Sequence, residues 1–97
     1  MKLEMYSMPF DVEDREVVCV VVRARGIEAP EISPVREWFF SATDRLLGMV
    51  GVEVVLRLSD TEGRMTVMFP ASEGWVEDDA LEAVYQNLDS ELADYLD

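Results

Sequence analysis

The sequence predicts a single α+β domain, residues 1–97, of order ββαββα: a four-stranded, mainly antiparallel sheet with two helices packed on one face. Three observations predict it. Apolar residues alternate or run together over 15–24, 49–60 and 64–70, which is the two-residue period of strands. Between 35 and 49, and again between 81 and 96, they recur at spacings of three and four, the period of helices. The 97 residues are 49% hydrophobic and 9% aromatic, enough for one core and too few for a second domain.

Residues 2–8 tolerate a strand, and Pro9 with the acidic stretch Asp11–Val12–Glu13–Asp14 predicts a hairpin after it. The valine-rich segment 15–24 places Val18, Val20 and Val22 on one face and Val17, Cys19 and Val21 on the other, so this strand needs cover on both sides or a subunit contact. Gly26, Pro30 and Pro34 mark a surface connection. Ser33 then fits a helix N-cap with Pro34 in the first turn, and Gly48 fits the stop. Val35, Trp38, Phe39, Ala42, Leu46 and Met49 form the buried stripe of that helix.

Residues 49–60 alternate, with Val50, Val52, Val54, Leu56 and Leu58 on one face and Glu53, Arg57 and Ser59 on the other. Asp60–Gly63 reads as a hairpin tip, and 64–70 as the return strand with Met65, Val67 and Phe69 inward. The last 23 residues predict one amphipathic helix. Its stripe is Leu81, Val84, Tyr85, Leu88, Leu92, Tyr95 and Leu96; its polar face carries Asp78, Glu82 and Asp89, with Asp79, Glu91, Asp94 and Asp97 further round.

The formal net charge is -13, and it is unevenly placed: after residue 48 only Arg57 and Arg64 offset twelve acids. Such a field repels nucleic acid and anionic membranes and attracts basic protein surfaces. The chain has no histidine, hence no ready base near neutral pH, no Ser-His or Cys-His pair and no imidazole metal ligand. Its five glycines form no phosphate-binding loop, and Asp60–Gly63 lacks the ligands of a calcium loop. No enzyme, cofactor or metal is therefore expected. Cys19 lies within an apolar run and reads as a buried side chain rather than a reactive thiol. With charge at positions 2 and 4, no secretory signal is expected; the longest uncharged apolar run, 17–22, is far too short for a bilayer, and the expected location is the cytoplasm.

Stability alone would not place Asp94 and Asp97 at the C-terminal end of a helix, nor Asp78 one turn before Glu82. The acidic face therefore predicts a partner-binding surface made of Asp78, Asp79, Glu82, Asp89, Glu91, Asp94 and Asp97, occluding a basic, nucleic-acid-binding site on another protein. In size and charge the chain resembles the nucleic-acid-mimicking inhibitors of nucleases, restriction systems and CRISPR complexes that phages and mobile elements encode. In element order it resembles the type III secretion chaperones and their cytoplasmic relatives, without their usual first helix. That second resemblance implies a small acidic homodimer binding a protein client through an apolar surface, either the uncovered sheet face or an edge formed by Phe40 and Leu47.

Overall fold

The computed structural model describes residues 1–96. Strands β1 (Lys2–Val12), β2 (Arg15–Arg25), β3 (Glu53–Leu58) and β4 (Glu62–Pro70) form one antiparallel sheet in the order β1-β2-β4-β3. Helix α1 (Ile32–Leu47) packs on β3 and β4, and α2 (Glu77–Asn87) on β1 and β2. A single turn, α3 (Ser90–Ala93), follows. The architecture is the α+β fold that the periodicities predict.

Register explains which side the helices take. Leu3, Ala24 and Gly63 lie opposite one another, as do Met5, Val22, Met65 and Leu56, and these rows face the helices together with Val18, Val20, Val67, Phe69 and Val54. Against them pack Val35, Phe39, Ala42 and Leu46 from α1, Ala80 and Val84 from α2, and Leu92, all buried. The fit is closest at Gly63. A Cβ there would lie 3.0 Å from both the Phe39 ring and the Leu58 side chain, so the sheet omits a side chain to admit the ring.

Four local expectations are corrected. β1 does not stop near residue 8 but pairs along β2 as far as Val12, carrying Pro9 within it; on an edge strand the missing amide can face away from the neighbour. Ser33 is not an N-cap. A 3₁₀ turn at Ala29–Glu31, closed by a reciprocal Glu28–Glu31 capping box, starts the helical path earlier and leads directly into α1. Val50 does not face the core: Gly48 ends α1, Gly51 takes φ 77°, and Val50 sits exposed in the intervening turn. Glu62 and Gly63 belong to β4 rather than to the hairpin tip, which Ser59 closes by accepting bonds from the Thr61 and Glu62 amides.

The predicted C-terminal helix is broken at Leu88 and Asp89, both of which are extended. Side chains hold the broken end. Arg45 donates from Nε and Nη2 to the Asn87 carbonyl at 3.0 and 2.6 Å and pairs with Asp89 at 3.6 Å, while Asn87 Nδ2 donates to the Ala83 carbonyl. The Asn87 carbonyl, which a continuing helix would bond, is thus satisfied from outside it by Arg45. The break redirects the chain so that Leu88 and Leu92 stay buried and Leu96 forms a parallel bridge with Leu3, whereas Tyr85 and Tyr95 of the expected stripe are exposed.

The β1–β2 turn carries a cost. Glu13 and Asp14 have φ 48° and 64°, the pair of left-handed residues that a two-residue type I′ turn requires, yet neither is glycine. Replacing Glu13–Asp14 by Asn–Gly removes a penalty of about 1–2 kcal/mol in total. Urea unfolding should show a higher midpoint at unchanged slope.

Candidate interaction surfaces

The sheet face turned away from the helices carries ordered cross-strand rows. Phe10, Val17 and Pro70 form one; Met8, Cys19, Met68 and Glu53 the next; then Tyr6, Val21, Thr66 and Val55. Beyond these come Glu4, Arg23, Arg64 and Arg57, and finally Lys2, Arg25 and Glu62. One end of the open face is apolar and the other basic.

Val17, Cys19 and Val21 were expected to need an external layer, yet they are only 5%, 6% and 8% exposed. Their neighbours in the sheet cover them. The exposure has moved to the flanking side chains: Tyr6, Met8 and Phe10 on β1 and Val55 on β3 are each between 42% and 52% exposed. At the end of the β1–β2 hairpin a groove of about 660 Å³ is lined by Phe10, Asp11, Glu16, Val17, Trp75 and Val76; Trp75 packs on Phe69, so the groove belongs to the helical side of the sheet. Val76, too, is exposed.

Charge is sorted between the two layers. Six of the eight basic residues (Lys2, Arg15, Arg23, Arg25, Arg57 and Arg64) point to the open face, against Glu4, Glu53 and Glu62. The open face is net positive on a chain of charge -13. Ion pairs join Arg25 and Lys2 to Glu4, Arg23 to Glu62 at 3.8 Å, and Arg15 to Glu53 at 3.6 Å. Among the described residues no carboxylate pairs with Arg57 or Arg64.

The carboxylates singled out from the sequence lie on the other side. Asp78 and Asp79 stand with Glu77 in the first turn of α2, where the helix dipole favours them. Glu82, one turn on, accepts a bond from Gln86, and Asp89 is held by Arg45. The break at Leu88 interrupts the expected row of carboxylates. Glu91 and Asp94 are exposed beyond it and share a recess of about 300 Å³ with Trp38 and Tyr95, whose rings lie 6.4 Å apart. Nearby, the Glu28 amide donates to Glu31 and holds its carboxyl below the usual range, with a further bond from the Tyr95 hydroxyl at 3.3 Å. Asp97 lies outside the described residues.

Phe40 and Leu47 are exposed on α1, as its periodicity predicts. No group of three or more potential ligands among the described residues could hold a metal ion, and no helix there is long and apolar enough to cross a membrane. No family model, curated protein or solved structure matches the chain. The likeness to the secretion chaperones therefore remains one of element order.

The basic row and the exposed flank of β1 were missed from the sequence. Alternation at Tyr6, Met8 and Phe10 was a usable signal; the arginine row was not, because it depends on the register of three strands.

Burial holds the Cys19 thiol above its ordinary pKa, so less of it is thiolate at a given pH. Iodoacetamide at pH 8 should alkylate the folded chain at least about tenfold more slowly than the urea-unfolded chain. Met8→Ala with Phe10→Ala should restore much of the rate, because those two side chains flank the sulfur on its own face.

Proposed function

We propose that the protein is a non-catalytic binding protein that docks an apolar segment of a partner protein on its open sheet face. The observation that carries this reading is the grouped exposure of Tyr6, Met8, Phe10 and Val55 around the Val17–Cys19–Val21 stripe. Strand and residue spacings make the three apolar rows a patch of roughly 14 by 14 Å. Charge argues for a different protein rather than a second copy as the occupant. Two identical faces stacked with their rows aligned oppose arginine to arginine, and stacked with their rows reversed they oppose the arginine row to Arg15.

Photo-crosslinking tests this assignment. With p-benzoylphenylalanine at position 10, ultraviolet irradiation in the native host should give one dominant product heavier than the chain by a partner's mass. The same label at Glu37 on α1 should not. A product of twice the chain mass would assign the face to a homodimer instead, and no product at position 10 would remove the docking role.

A second reading, occlusion of a basic nucleic-acid-binding site, draws on the sorting of acids to the helical layer. It also draws on the recess in which Glu91 and Asp94 flank two aromatic rings, a setting suited to a partner's lysine or arginine. Replacing Glu82, Glu91 and Asp94 by their amides spares the Arg45–Asp89 pair and the first-turn carboxylates that the α2 dipole favours, so thermal stability should hold or rise slightly. Binding to a DNA-binding target should weaken and lose its salt dependence, while for the wild type duplex DNA should compete. Undiminished affinity in the amide variant would sink this reading.

A further inference from the structure

We infer that Arg23, Arg57 and Arg64 form a binding site for the phosphate group of a small phosphorylated molecule. The three residues lie side by side on adjacent strands, Arg23 opposite Arg64 and Arg64 opposite Arg57, all on the open face. Directly opposed residues of an antiparallel pair have Cα atoms about 4.5–5.5 Å apart, and like charges there destabilise the sheet. A chain with 21 carboxylates could have placed one in this row beside Arg57 or Arg64; among the described residues neither has an ionic partner. The row costs folding energy that the sheet does not recover from within.

The surroundings form a recess and not a flat patch. Arg23, Arg57 and Arg64, with Leu58, Ser59, Glu62 and Gly63, line a volume of about 350 Å³, at the small end of the range for ligand pockets of about 300–1,000 Å³. Guanidinium forks match phosphate oxygens in pairs, so three of them in one row can both neutralise a phosphate dianion and bond its oxygens, where a single lysine would offset only half its charge. Leu58 offers an apolar wall for the organic remainder of the ligand. Glu62, 3.8 Å from Arg23, is the internal counter-ion that a phosphate would displace.

The chain's total charge restricts the size of the ligand. A compact anion sits within a few ångströms of the guanidiniums, where their attraction is little screened, whereas an extended polyanion would also meet the carboxylates of the helical layer. This site is independent of the docking role proposed for the apolar rows.

The test is a titration of the ¹⁵N-labelled chain with inorganic phosphate, pyrophosphate and ATP, with chloride holding the ionic strength constant. Saturable amide shifts are expected at residue 23 and over 57–64, with dissociation constants of about 1 mM or below. Tighter binding of ATP than of pyrophosphate would assign an organic phosphate, and equal binding the inorganic ion. Arg57→Gln with Arg64→Gln should weaken binding by about tenfold or more while leaving the melting temperature unchanged or higher, since like charges are removed. Glu62→Gln should tighten it. Shifts that chloride alone reproduces, that survive in the double arginine variant, or that citrate matches at equal charge would overturn the assignment.

Discussion

The structure depends on β2 being apolar on both faces while the chain has only enough helix to cover one. Val18, Val20 and Val22 meet α1, α2 and the strands beside them; Val17, Cys19 and Val21 have no helix above them. A four-stranded sheet can bury a central strand on its open side only by crowding it laterally. β1 and β4 do this with Tyr6, Met8, Phe10 and Met68, which transfers the exposure to the β1 side chains Tyr6, Met8 and Phe10. The protein thus keeps a dry central strand at the cost of an apolar rim. From that rim the docking reading follows.

The same geometry sorts the charge. Helices α1 and α2 present their polar backs to solvent, with Glu37, Asp44, Glu77, Asp78, Asp79 and Glu82 on them. The strands alternate, so every basic residue placed on them opposite a core position must emerge on the open face. Glu4, Glu53 and Glu62 are attached to Arg25, Arg15 and Arg23 there. Arg57 and Arg64 remain over, and because β3 and β4 are in direct register they remain over next to each other.

Most of the fold was legible because its signals are local. Periodicity at Val35, Phe39, Ala42 and Leu46, and alternation at Met65, Val67 and Phe69, each report burial of their own element, and all seven are buried. The misread points are those where a distant residue intervenes. A continuous stripe from Leu81 to Leu96 does predict one helix, but Arg45, more than forty positions away, takes the Asn87 carbonyl and Asp89 and ends it. Likewise Pro9 reads as a stop until pairing with Val18 places it on an edge strand. Of the candidate surfaces, exposure of Phe40, Leu47 and the helix carboxylates could be read from helical phase, whereas the arginine row required strand order and register together.

Whether a net charge of -13 prevents the open face from acting as a basic surface is decided by distance. Helices stack about 10 Å from a sheet, so their outward carboxylates lie further than that from an anion on the arginine row, at or beyond the Debye length of about 8–10 Å at physiological salt. The three guanidiniums lie within direct contact of such an anion, where mobile ions cannot intervene. Attraction from the near layer therefore survives while repulsion from the far layer is screened. At low ionic strength the balance shifts, because the unscreened field of the whole chain then reaches an approaching anion before the arginines do. A two-layer protein can in this way present an acidic surface to one partner and a basic one to another, provided its two helices and its bare sheet face remain separated by a dry core.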